Sequence, residues 1–212
     1  YMIYSIYLNI IVKVFILGVY ILTGSIGSGK SEAQKLFEKF NIDCFCADKI
    51  VRDLYNEDDV ILGIKNILPL SVQNYVIDIE LVRKTIFTNE KIMCEVEDYI
   101  QPKVFQRFED ILNSNKNKNK NIILVVPIIK NNYFQKKYKV IYISTNKKTR
   151  IKRLSARNNY NIKLIKNIIE YQDNIDEYKK DNTFFIDNNG SISELENSIK
   201  NIVKLLWKNI LY

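Results

Sequence analysis

Residues Gly24 to Ser31, GSIGSGKS, match G-x-x-x-x-G-K-[ST] at every fixed position, and few eight-residue strings restrict a fold as much. The motif works only where a buried strand delivers the chain into a tight turn and a helix leaves it. Backbone N–H groups then converge on a polyphosphate, and the helix N-terminus adds its positive dipole end. The flanking residues meet that requirement. Leu17 to Thr23 is an apolar, β-branched and aromatic run that reads as a buried parallel strand, and Ser31 to Phe40 places Ala33, Leu36, Phe37 and Phe40 at helical spacing. Gly24, Ser25, Ile26, Gly27, Ser28, Gly29, Lys30 and Ser31 thus form a candidate ATP- or GTP-binding loop. Lys30 would reach the β- and γ-phosphates, and the Ser31 hydroxyl would ligate Mg²⁺.

The chain's 212 residues suit one α/β domain or a core with small inserts, and 47 % hydrophobic against 26 % charged residues excludes a wholly disordered chain. There is no histidine, so Ser-His-Asp hydrolysis, Cys-His proteolysis and His-ligated zinc or haem are excluded. Cys44, Cys46 and Cys94 form no C-x-x-C pair, which argues against a disulfide framework or zinc ribbon and for a reducing, cytoplasmic setting. A net charge of +8 points to an anionic partner: nucleic acid, membrane or a phosphorylated small molecule. The abundance of Asn, Ile, Lys and Tyr fits an AT-rich coding sequence, which discounts part of that excess. Nucleic acid is disfavoured, because most aromatics fall at core positions instead of alternating with basic residues on one face. The run from Met2 to Thr23 is long enough to cross a bilayer, but Lys13 would lie near mid-membrane and the second half is needed as a strand. It lacks a basic n-region and a small-residue cleavage pattern, so neither membrane attachment nor secretion is expected.

Further strands are expected at Ile42 to Cys46, Ile122 to Val126, Val140 to Ser144 and Phe184 to Asp187. Helices are expected at Ala47 to Tyr55, Lys147 to Arg157, Asn161 to Lys180 and from Ser193 onward. The section Asp59 to Leu112 has no comparable strand signal. From Glu90, the residues Ile92, Val96, Ile100, Val104, Phe108 and Ile111 trace a helical stripe that Pro102 interrupts, which allows one kinked helix or two. Asn113 to Asn121 is a low-complexity polar tract expected to be a mobile loop. The fold class is therefore α/β: a P-loop NTPase fold with a five-stranded parallel sheet flanked by helices.

Phosphoryl transfer to an alcohol needs a carboxylate to orient the hydroxyl and take its proton. Asp48 follows the second expected strand, at the sheet edge where ligands collect. The same position also suits an N-cap for the next helix, and the residue types alone leave both roles open.

With these pieces in place, residues 19 to 190 resemble the dephospho-CoA kinases. The resemblance rests on LTGSIGSGKS (Leu22 to Ser31), IDCFCADKIVR (Ile42 to Arg52) and VVPII (Val125 to Ile129). Weaker matches follow in order: Arg83 with Phe87, Ile100-Gln101-Pro102, Arg153 with Arg157, Gln172, and Ile186 to Gly190. The resemblance implies that dephospho-CoA is the acceptor, phosphorylated by ATP with Mg²⁺ on its ribose 3′-hydroxyl, and that Asp48 is the base. It implies that Arg153 and Arg157 face the phosphates from a lid, that Asn188 and Gly190 lie beside the adenine, and that Arg83, Gln101 and Gln172 serve the acceptor. It divides the chain into a kinase core (17–58 and 121–212, lid about 147–180), a helical acceptor-binding insert (59–112), the Asn/Lys loop (113–121) and an apolar extension (1–16), in a monomer or weak oligomer. Cys46, Gln101, Asn131 and Asn182-Thr183 depart from the family pattern, which implies a slower enzyme. The alternatives are another small P-loop kinase, acting on a nucleoside monophosphate or a small alcohol, and a degenerate nucleotide-binding protein.

Overall fold

The computed structural model describes residues 18–115, 120–127, 137–156, 162–175 and 183–208. Strand β1, Val19–Thr23, carries Tyr20, Ile21 and Leu22 into the core. It is buried on both faces, which is why its apolar run does not alternate. Helix α1, Lys30–Lys39, follows the glycine turn and buries Ala33, Leu36 and Phe37. Strand β2, Asp43–Cys46, leads directly into α2, Ala47–Leu54. Later in the chain come β5 (Ile122–Val125), β6 (Lys139–Ser144), α6 (Lys147–Ser155), α7 (Ile162–Ile175), β7 (Thr183–Asp187) and α8 (Ile192–Lys208). The five long strands form one parallel sheet in the order β2-β5-β1-β6-β7, as the sequence predicts.

The chain divides into two compact units. The first, through Phe45 and again from Leu112, holds the sheet. There α8 lies against α1, burying Leu195, Ile199, Ile202, Val203 and Leu206, with Lys39 paired to Glu196 at 2.6 Å. A reciprocal capping box opens α8: the Ser191 N–H donates to Glu194 Oε2 at 2.6 Å, and the Glu194 N–H donates to Ser191 Oγ at 3.3 Å.

The second unit, Cys46–Ile111, contains α2, α3 (Asp58–Ile67), a short β3–β4 hairpin (Val72–Gln73 and Val76–Ile77), α4 (Ile79–Ile86) and most of α5 (Glu90–Asn115). Its core gathers Leu54, Val60, Ile61 and Ile64 with Val82, Met93, Val96, Ile100, Val104 and Phe108. Lys103 and Asp59 pair at 2.6 Å, and Arg107 pairs with Glu57.

One open choice is decided and two expectations change. Helix α5 is continuous through Pro102. The insert contains a hairpin that the sequence does not announce, because strands of two residues are too short to show a period. The polar tract is not one loop: α5 runs through Asn115, residues 116–119 lie outside the described residues, and Asn121 is buried with its Oδ1 accepting the Gly18 N–H at 3.1 Å. Lys120 pairs with Asp43 at 3.2 Å. The expected residues 1–17, Asn131, Arg157 and Asn182 lie outside the described residues.

Candidate active site

Strand order assembles the phosphate site. β1, β6 and β7 are consecutive in the sheet, and their registered partners include Thr23↔Tyr142 and Ser144↔Asp187. Their C-terminal ends therefore lie side by side, and the residues that follow, Gly24–Ser28, Thr145 and Asn188, meet there. The chain leaves β1 at Gly24 with φ +152, where a Cβ would lie 2.5 Å from the Ile143 carbonyl oxygen. It enters α1 from Gly29 at φ +99, where a Cβ would run into the Asn188 amide. Neither position has room for a side chain, and both backbone angles favour glycine.

The Ser28 carbonyl ties the loop to its surroundings. It accepts the Asn188 Nδ2–H at 2.7 Å, the Thr145 hydroxyl at 3.1 Å and Arg153 Nη1–H at 3.4 Å. The Asn188 carbonyl in turn accepts from Arg153 Nη2 at 2.9 Å and from Thr145 at 3.3 Å. One guanidinium thus joins the glycine loop to the turn after β7. Asn188 and Thr145 are buried, and buried polar groups tied in this way favour a single loop shape.

Helix α7 holds the other side of the loop. Gln172 Oε1 accepts the Ile26 N–H at 2.6 Å, and the Ile26 side chain packs against Leu154, Ile165 and Ile169 of α6 and α7. Lys30 Nζ donates to the Gly24 carbonyl at 2.6 Å and to the Ser25 carbonyl at 3.3 Å, lying across the mouth of the turn. Ser31, one residue into α1, is exposed.

The candidate residues thus fall into two groups. Gly24 to Ser31, Arg153, Gln172 and Asn188 meet around the loop in the first unit. Gly190 sits just before the capping box of α8, where a Cβ would meet the Glu194 carboxylate. Asp48, Arg83 and Gln101 belong to the second unit, on α2, α4 and α5. Asp48 is exposed, and it is not the N-cap of α2: Cys46 holds that place, and Asp48 lies in the first turn. Gln172, expected to serve the acceptor, contacts the glycine loop. Thr145, whose hydroxyl reaches the Ser28 and Asn188 carbonyls, is the loop-contacting residue that sequence reasoning missed. Its signal was a hydroxyl directly after a buried strand, on the same sheet edge as the motif.

Among the described residues no three His, Cys, Asp or Glu side chains group as metal ligands, and no helix is long and apolar enough to cross a membrane.

A parallel sheet in this order, with a glycine loop and Lys-Ser helix start after its central strand, defines a P-loop nucleotide-binding fold. Comparison with known proteins narrows the class. The sequence profile of the dephospho-CoA kinases matches residues 17–194, and the chain belongs to that family. The dephospho-CoA kinase of Ehrlichia canis is 31 % identical over 140 residues, covering 64 % of this chain and 70 % of its own. Among solved structures, Thermus thermophilus TT1252 superposes with a TM-score of 0.71 at 20 % identity, over 89 % of this chain and 97 % of its own. The dephospho-CoA kinase of Campylobacter jejuni does so at 0.60 and 22 %, over 89 % and 97 %.

Proposed function

We propose that this protein transfers the γ-phosphoryl group of ATP to the ribose 3′-hydroxyl of dephospho-CoA, giving coenzyme A and ADP. Family membership carries this reading, since the profile spans both the glycine loop and the insert. In the transfer, the 3′-oxygen bonds to the γ-phosphorus, the bond from that phosphorus to the β,γ-bridging oxygen breaks, and Asp48 accepts the hydroxyl proton. Lys30 supplies positive charge to the phosphates. Arg153, which bridges the Ser28 and Asn188 carbonyls, holds the loop in shape from α6. Gln172 does the same from α7. Arg157 would serve the phosphates beside Arg153, and Asn188 and Gly190 would border the adenine. Arg83 and Gln101 would serve the acceptor.

The residues present fit Mg²⁺. Ser31, exposed at the helix start, offers a hard oxygen, and Mg²⁺ characteristically takes few protein ligands, together with substrate phosphates and water. When bound, the ion would offset phosphate charge.

A nucleoside monophosphate acceptor is disfavoured. Between Asp59 and Leu112 the arginines are Arg83 and Arg107, and Arg107 is already paired with Glu57. The deciding assay is Mg-ATP turnover with dephospho-CoA, run beside AMP and adenosine, with the product identified by mass. Formation of 3′-phosphorylated product from dephospho-CoA alone is expected; product from AMP or adenosine alone would assign a different acceptor.

A further inference from the structure

A cavity of about 360 Å³ lies within the second unit, lined among others by Arg52 of α2, by Tyr55 and Asn56 just after it, and by Tyr75, Val76, Ile77 and Ile79 of the hairpin and α4. Its size falls within the range of small-molecule clefts, about 300–1,000 Å³. Val76, Ile77 and Ile79 make part of the lining apolar, Arg52 and Asn56 make part of it polar, and the whole is open to solvent. Tyr75 is 70 % exposed and Val76 67 %, on a hairpin tip where solvated residues would be expected. The turn itself is unusual: Asn74 and Tyr75 take φ +49 and +60, a conformation that suits glycine and is uncommon for an aromatic residue. A bulky ring held there against its backbone preference points to use of the ring.

Helix α2 connects this cavity to Asp48. Residues four apart lie on one helix face, so Arg52 follows Asp48 by one turn, about 6 Å along the axis. The Arg52 Nε–H donates to the Asp48 carbonyl at 3.3 Å. Among the described residues no carboxylate pairs with its guanidinium. In order along the helix stand a carboxylate, a cation and a cavity whose lining is part apolar and part polar. Dephospho-CoA has a matching order: a ribose 3′-hydroxyl, a 5′-diphosphate, and an arm of methyl groups, methylenes and amides.

Resting on the acceptor assignment above, we infer that the acceptor lies along α2, with its diphosphate at Arg52 and its pantetheine arm in the cavity closed by Tyr75 and Val76. The arm then gives this site its selectivity over shorter alcohols. A lining that is part apolar and part polar fits an arm of methyl groups, methylenes and amides, and Arg52 gives the diphosphate its counter-charge.

The test uses the full chain and two probes, dephospho-CoA and 4′-phosphopantetheine, which keeps the arm and a phosphate but lacks the ribose. 4′-Phosphopantetheine should inhibit competitively against dephospho-CoA. Tyr75→Gly, which eases the turn while removing the ring, and Val76→Ser should each raise the KM for dephospho-CoA about fivefold to tenfold and weaken 4′-phosphopantetheine in parallel. The KM for ATP should not move. Leu70→Ser, at an exposed apolar position outside the cavity lining, should leave both acceptor constants as they are. Turnover of dephospho-CoA with unchanged constants in Tyr75→Gly and Val76→Ser would overturn the inference while leaving the activity standing. So would a change confined to self-association, which assigns the patch to a second copy. No turnover of dephospho-CoA by the unaltered chain removes the acceptor assignment itself and the inference with it.

Discussion

The Asn188 side-chain amide donates to the Ser28 carbonyl at 2.7 Å across 160 residues of sequence. The same carbonyl takes a hydroxyl from Thr145 and a guanidinium N–H from Arg153. The shape of the phosphate loop is therefore set as much by residues far from the motif as by its glycines.

Removing that amide should loosen the loop without touching its sequence. Asn188→Ala is expected to cost about 1–2 kcal/mol of stability and to raise the KM for ATP. Urea unfolding and initial-rate kinetics check both, and an unaltered KM for ATP would show that the loop holds its shape without Asn188.

Gln172 offers a sharper test of the α7 contact, because its acceptor oxygen can be kept while charge is added. Gln172→Glu can still accept the Ile26 N–H, yet it places a negative charge beside bound phosphates. ATP affinity should fall more in Gln172→Glu than in Gln172→Ala, and the difference should shrink with added salt. Equal affinities, measured by calorimetry at two ionic strengths, would move Gln172 away from the phosphates.

Asp48→Asn keeps size and polarity but cannot take a proton. Turnover should drop by about 10²–10⁴ with ATP binding intact. Full turnover in this variant would remove Asp48 from the chemistry.

The capping box of α8 gives a pH dependence of known sign. The Ser191 N–H and hydroxyl both donate to Glu194 and hold its carboxyl below the usual carboxylate value. A lowered folded-state value stabilises the fold above the unfolded value of about 4.3, and the gain is lost as pH falls through the folded value. Glu194→Gln should be less stable than the parent at neutral pH, and the gap should close on acidification. Thermal unfolding between about pH 3 and 7 reads this directly. A gap that widens toward acid would contradict it.

The sheet was legible because its three central strands are buried on both faces and announce themselves as unbroken apolar runs, as Ile122–Val125 does with four buried residues. The glycine loop was legible because its fixed positions answer to backbone geometry. The hairpin at Val72–Ile77 was not: it has too few residues for a pattern, and an aromatic stands where its turn favours glycine. Asn121 looked like part of a solvated tract, since sequence alone does not show that its side chain reaches the backbone of Gly18. The role of Asp48 was half legible. Residue type allowed a cap, and only the backbone at Cys46 and Ala47 removed that choice. Thr145 and the arginine bridge depend on which strands are neighbours, and local sequence carries no such information.

Ile26 is seated among side chains of α6 and α7, and Ser28 is held by a residue beyond β7. The eight-residue signature is complete at Ser31, but the clasp around it closes only after Asn188 has been added. As the chain grows from the ribosome, it carries the motif for more than 150 residues without the contacts that shape it. The contacts that Asn188 makes with the loop thus form late in the life of the nascent protein. A product cut short before β7 would carry the signature intact and still lack the clasp that Asn188 closes on it.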